Sequence, residues 1–233
     1  MRPYHCMCPS LLSATLLPFL LITYYYGGIN IDTYISFIKT HYWVGIASIP
    51  ILWMHTFIYS YIWIRPDRYK QICKENLHNK DPVEVYALTS FGIKIVQVIF
   101  MITAAIYYKG SHIFLLDLTN LSIERWFASL TLIIIGQILN IYVYKKLGIN
   151  GVYYGYKLGK TVPWVKTFPF NLKIRHPQYF GAIISWWGMF NIFISSSLLY
   201  NEYMILCLMT CSSYIVIAVV EETSDWDEEI KNE

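Results

Sequence analysis

The stretch Lys173-Ile-Arg-His-Pro-Gln-Tyr-Phe-Gly181 sets a guanidinium and an imidazole directly before a proline that opens a long apolar segment. That segment runs from Gln178 to about Ser197; a second, from Glu202 to Val220, ends at the pair Glu221-Glu222. If both are helices they form a hairpin, and Arg175, His176 and the two carboxylates meet at the same end. Pro177 suits a first helical turn because its missing N–H would have no partner there. Free N–H groups at a helix start favour an anion, and Arg175 adds a forked donor matched to carboxylate or phosphate. Carboxylates at a helix C-terminus face the negative end of the dipole. Glu221 and Glu222 therefore belong to a helix that runs on into the tail, or they face a cation. A small zwitterion beside a lipid would satisfy both ends. The plain alternative makes Arg175 and His176 interfacial cations that flank a span.

Other polar residues carry weaker signals. Gly151, Gly155 and Gly159 recur every four residues and would share one bare face of a helix. Such a face serves close helix packing or a ligand laid against backbone. Gln137 and Asn140 share a face three residues apart, suited to interhelical hydrogen bonds. His55 reads as a satisfied core residue, and Lys94 as a lysine whose stem snorkels to the membrane surface. No H-x-x-x-H or H-E-x-x-H pattern occurs, so no metal site is expected.

The elements that must position these residues belong to a membrane protein. The chain has 233 residues, 56% hydrophobic and 14% charged, with 21 Tyr and 8 Trp. That composition is too apolar for an ordinary soluble domain. A span needs about 20 apolar residues to cross roughly 30 Å of hydrocarbon. Stretches near 10–26, 42–64, 88–108, 124–144, 178–197 and 202–220 qualify, so the expected fold is an all-α polytopic bundle of about six transmembrane helices. The first is short, holds Pro18 and looks like a signal peptide with Arg2 and His5 ahead of it, but is read as a retained span. Asp81-Pro82-Val83-Glu84 predicts a helix start with Asp as cap, and Ser122 followed by Glu124 predicts another.

One domain is expected over 1–233: N-terminal spans to 144, a functional core over 145–225 and an acidic tail over 226–233. With six spans, the cations of the 65–80 loop and of the 145–175 segment fall on one face. Excess Lys and Arg marks the cytoplasmic side, so both termini are expected there, or in the matrix if the protein is mitochondrial. Basic loops interrupted by spans suit anionic lipid rather than nucleic acid. The five cysteines show no disulfide framework and no C-x-x-C pair.

Taken together, Gly151-Val-Tyr-Tyr-Gly155, Thr167-Phe-Pro-Phe-Asn171, His176-Pro-Gln-Tyr-Phe-Gly181 and Glu221-Glu222 resemble the phospholipid methyltransferases, the phosphatidylethanolamine N-methyltransferases. The resemblance is strongest over about 145–225. Arg175-His176-Pro177 is also similar to the isoprenylcysteine carboxyl methyltransferases of the same membrane superfamily. The resemblance implies an S-adenosylmethionine site that opens sideways to lipid, and an endoplasmic reticulum location, with mitochondrial membrane as the alternative. It implies Gly151, Gly155, Arg175, His176, Tyr179, Gly181, Glu221 and Glu222 as cofactor-binding residues, with His176 and Glu221 catalytic. Lys160, Lys166, Phe168 and Asn171 would then meet the lipid. The family's Gly-x-Gly in the preceding span is Gly136-Gln137-Ile138 here, without its second glycine. Two further readings stay open: a methyltransferase for prenylated cysteine, which Phe168-Pro-Phe-Asn171 disfavours, and a non-catalytic subunit of a larger membrane complex.

Overall fold

The computed structural model describes residues 42–109, 121–163, 165–172, 174, 176–193 and 200–231. The span expected at 10–26, residues 194–199 and Arg175 lie outside these residues. Among the described residues six α-helices follow in order: α1 Tyr42–Ile64, α2 Pro66–Asn76, α3 Pro82–Lys109, α4 Ile123–Val152, α5 Pro177–Phe193 and α6 Tyr200–Lys231. A 3-10 turn over Phe170–Leu172 precedes α5. Stretches Pro82–Ala104, Ile123–Val152 and Leu206–Thr223 are long and apolar enough to cross a membrane. Among the described residues there is no strand.

Local chemistry sets the helix starts. Asp81 Oδ1 accepts the Val83 N–H at 2.9 Å just ahead of Pro82, and Ser122 Oγ accepts the Arg125 N–H at 3.3 Å. Both starts match the expectation. Residues 65–80 were expected as a loop; part of them forms α2, with Pro66 at its start, Asp67 in its first turn and Lys74 in its last. Those are the charges that a helix dipole favours at each end.

The helices pack in a closed circuit: α4 lies along α5, α5 on α6, α6 on α1, α1 on α3, and α3 returns to α4. The outer faces are apolar, with Leu88, Phe91, Phe127 and Ile134 exposed, while Ser48, Thr56, Gln97, Ser129 and Ser213 are buried. This inversion suits a lipid surround, where polar groups must find partners inside the protein. They do so across helices. Trp53 Nε1–H donates to the Met209 carbonyl at 3.1 Å, and Gln97 Nε2–H to the Leu52 carbonyl at 2.9 Å. Gln137 Nε2–H donates to Ser185 Oγ at 3.0 Å, the interhelical role expected of it.

The α4–α5 contact depends on two glycines. A Cβ built on Gly136 would lie 2.3 Å from the Gly181 carbonyl oxygen, and one on Gly181 would lie 2.7 Å from that of Gly136. The helices therefore approach backbone to backbone. Gly181→Leu is expected to lower the melting temperature of the solubilised protein by roughly 3–8 °C through overpacking. Gly92→Ala, where an added Cβ meets nothing within 4 Å, is expected to leave it unchanged.

Candidate functional site

Four segments converge on one carboxylate. Tyr59 of α1, Tyr154 of the turn after α4 and Tyr179 of α5 each donate a phenolic O–H to Glu221 Oε1 on α6. The Tyr154 contact is 2.9 Å long, and the Tyr179 hydroxyl lies 3.2 Å from that of Tyr59. The other face of the carboxylate meets the residue before α5: His176 Nδ1 is 3.4 Å from Glu221 Oε2. His176 Nε2–H donates to Glu222 Oε1 at 3.1 Å, so the imidazole lies between the two glutamates. Its ring stacks on Tyr179 with centroids 5.4 Å apart and planes at 12°. His176, Glu221 and Glu222 retain only 14%, 13% and 17% of their side-chain exposure. The helix runs on past Glu221 to Lys231, as the first account of the glutamates expects.

Tyr154 occupies its place at a cost. Its φ is +57°, the left-handed region, which costs a side chain of this kind roughly 1–2 kcal/mol. The chain reaches it after Gly148, where φ +65° interrupts α4. Burial, and then the charge of Glu221, pushes the Tyr154 phenol well above its ordinary range, so it stays protonated and donates. Around it the rings close in: Tyr59 edge-on at 4.4 Å and Trp63 edge-on at 5.1 Å. Lys157 Nζ caps the Trp63 ring at 4.9 Å.

The remaining residues singled out in the sequence divide into neighbours and outliers. Gly181 meets Gly136, as described. Gly151 and Gly155 lie against their own chain, where a Cβ would stand 2.4 Å from Leu147 Cβ and 2.7 Å from the Asn150 carbonyl oxygen respectively. The continuous helix imagined through Gly151, Gly155 and Gly159 does not form. The chain turns over 153–159, and Gly159 has φ +87°. Lys160 pairs with Asp81 at the start of α3, Phe168 packs edge-on against Tyr142 at 5.0 Å, and Lys166 and Asn171 are exposed. No hydrogen bond joins these four to the Glu221 cluster among the described residues. Tyr59 and Tyr154 were not expected to contribute. Tyr59 shares a helical stripe with His55 and Trp63, and Tyr154 lies within a quoted motif, but neither position stands out among 21 tyrosines.

Behind Tyr154 and Tyr179 lies a cavity of about 40 Å³, walled also by His55, Lys94, Asn140 and Gln178. His55 is not the satisfied core histidine expected. Its ring lies between Tyr59 and Tyr86, with centroids at 6.3 and 6.4 Å, and among the described residues its nitrogens have no hydrogen-bond partner. Lys94, whose stem was expected to snorkel, lines this cavity. Asn140 faces it too, without the interhelical bond expected of it.

Fold and site together define a polytopic helical membrane protein with a buried carboxylate–histidine–tyrosine centre at one end of its bundle. A family model described as phospholipid methyltransferase matches residues 124–224, from the start of α4 to just past Glu222. The curated phosphatidyl-N-methylethanolamine N-methyltransferase of Arabidopsis thaliana is 34% identical over 143 residues, 60% of this chain and 74% of that protein. No solved structure matches. The chain belongs to the phospholipid methyltransferase family and is a membrane enzyme that transfers methyl groups.

The Asp81–Lys160 pair ties the start of α3 to the turn that carries Tyr154. The Lys160 ammonium, as hydrogen-bond donor, holds the Asp81 carboxyl below its ordinary value of 3.8. A depressed carboxyl stabilises the fold above its unfolded-state pKa, and that stability is lost as pH falls through the folded value. Wild type is therefore expected to lose thermal stability below about pH 4. Asp81→Asn should be less stable at pH 7 and show a flatter acid limb in melting curves.

Proposed function

We propose that the protein transfers methyl groups from S-adenosylmethionine to the amine of phosphatidylethanolamine or of its mono- and dimethyl forms, toward phosphatidylcholine. The observation that carries this reading is the meeting of His176 with both Glu221 and Glu222 at one end of the α5–α6 hairpin. The residues fit such a donor. Two carboxylates can accept an ammonium or ribose hydroxyls, and clustered tyrosine faces suit a cationic sulfur. The adjoining cavity supplies amide and cationic groups. Gly151, Gly155, Tyr179 and Gly181 would form the surrounding wall, and Arg175 would add a cation for the donor's carboxylate. When bound, the donor supplies an electrophilic methyl on a sulfonium.

The chain's part is to position the reactants and to manage a proton. A headgroup amine with a pKa near 10.4 is neutral in roughly one molecule per thousand at pH 7, a cost of about 4–5 kcal/mol. A low-dielectric site beside a positive sulfur lowers that cost. His176, held between the two glutamates, accepts the proton as general base, and Glu221 steadies the resulting charge. Lys160, Lys166, Phe168 and Asn171 lie on the segment that would meet the lipid headgroup. The transfer is a direct displacement, so its rate depends chiefly on holding the amine in line with the methyl.

The basic 65–80 and 145–175 segments would face the cytosol together with both termini, in the endoplasmic reticulum membrane. That orientation gives the site access to a soluble donor and a lipid acceptor from the same surface.

The test uses purified full-length protein in lipid nanodiscs. Radiolabelled methyl is expected to move to phosphatidylethanolamine or its methylated forms and not to prenylcysteine. Glu221→Gln and His176→Ala are each expected to weaken S-adenosylmethionine binding at least tenfold. Unchanged affinity in both variants would remove these residues from the site.

A further inference from the structure

The cavity behind the tyrosines holds polar groups that the Glu221 cluster does not use. His55 comes from α1, Lys94 from α3, Asn140 from α4 and Gln178 from α5, while Tyr214 of α6 completes the circuit. Among the described residues nothing hydrogen-bonds to Lys94 Nζ, to the imidazole of His55, or to the amides of Asn140 and Gln178. All four residues are partly buried, and a polar group that is buried without a partner costs about 1–3 kcal/mol. Two other amides of this bundle do pair, Gln97 with the Leu52 carbonyl and Gln137 with Ser185. Four helices bringing unpaired polar ends to one partly open cavity is the pattern of a binding site. An ionisable side chain inside a membrane bundle marks function by default.

The lining also has a chemical sign. Lys94 offers three donors and no acceptor, the two amides offer two donors each, and the imidazole offers one in its neutral form. No Asp or Glu lines the cavity among the described residues. The complement of such a wall is an oxygen-rich anion. About 40 Å³ is room for a few water molecules, which suits a small terminal group. The rings of Tyr154 and Tyr179 form one side of this cavity while their hydroxyls hold Glu221. A donor-rich pocket and an acceptor-rich carboxylate thus stand on either side of one tyrosine pair.

We propose that Lys94, with His55, Asn140 and Gln178 around it, binds an oxyanion that arrives with the reactants. Two sources exist: the carboxylate of the methyl donor, which fits the space, and the phosphate of the lipid headgroup. The inference rests on the methyl-transfer reading above and adds to it a residue that none of the sequence motifs includes.

The test compares S-adenosylmethionine with its decarboxylated analogue by calorimetry, on full-length protein in nanodiscs. Wild type is expected to favour the carboxylated donor at least twentyfold. Lys94→Met should reduce that preference to within about threefold, and Lys94→Arg should retain most of it. If phosphate is the source, Lys94→Met will leave the donor preference intact and raise the KM for phospholipid at least tenfold without changing kcat. A Lys94→Met protein with unchanged donor preference and unchanged phospholipid KM overturns the inference. Should that variant fail to fold, the second readout is wild-type acceptance of a phospholipid against a long-chain amine lacking phosphate. Equal affinity for both donor forms together with equal KM for both acceptors then overturns it. Failure of wild type to bind either donor form overturns the methyl-transfer reading along with it.

Discussion

The structure depends on keeping one carboxylate inside a membrane bundle. Removing an anion from water costs several kcal/mol even after relaxation, and lipid offers nothing in return. Glu221 meets that cost with three phenolic donors and an imidazole drawn from three other segments. Hydrogen bonds to a charged group contribute about 1.5–3 kcal/mol each, so the set is of the size required. The consequence is geometric. α1, the turn after α4, the start of α5 and the body of α6 must all reach one point, and this fixes how the bundle closes at that end. The left-handed backbone of Tyr154 is a strain that the arrangement sustains because its hydroxyl completes the set.

Closure of the helix circuit then determines what lies at its centre. The bare contact of Gly136 with Gly181 brings α4 and α5 so close that Asn140 and Gln178 line the same cavity. α1 and α3 bring His55 and Lys94 from the opposite side. The enzyme therefore has an acceptor-rich centre at its mouth and a donor-rich centre just behind it, divided by Tyr154 and Tyr179. A methyl transferase needs little else from its polar groups: a grip on the two ends of a charged donor, a proton acceptor, and a hydrocarbon flank by which a lipid can enter.

The parts legible in the sequence are those with local causes. Asp81 and Ser122 cap helices in the way their side chains dictate, and Pro177 opens α5. The meeting of His176 with Glu221 and Glu222 followed from the hairpin alone, since the second antiparallel rod returns past the start of the first. What escaped depends on relations between distant helices. No local pattern distinguishes Tyr59 from its neighbours, because a tyrosine in an apolar run is usually packing. His55, Asn140 and Lys94 each have an ordinary role when read singly, as a core residue, an interhelical amide or a snorkelling cation. The circuit of five helices turns them toward one space. The glycine series failed for a local reason that spacing conceals, since the left-handed φ values at Gly148 and Gly159 end the regular helix that the periodicity assumes.

The most direct measurement is photo-crosslinking of S-adenosylmethionine to the full-length protein in membranes, with labelled peptides mapped by mass spectrometry. If a tyrosine-ringed anion is where the methyl source docks, adducts will concentrate on peptides carrying Tyr154, His176 to Tyr179, and Glu221, and excess unlabelled donor will abolish them. Adducts confined to the outer faces of α3 or α4, or equal labelling with the donor site saturated, would contradict that claim.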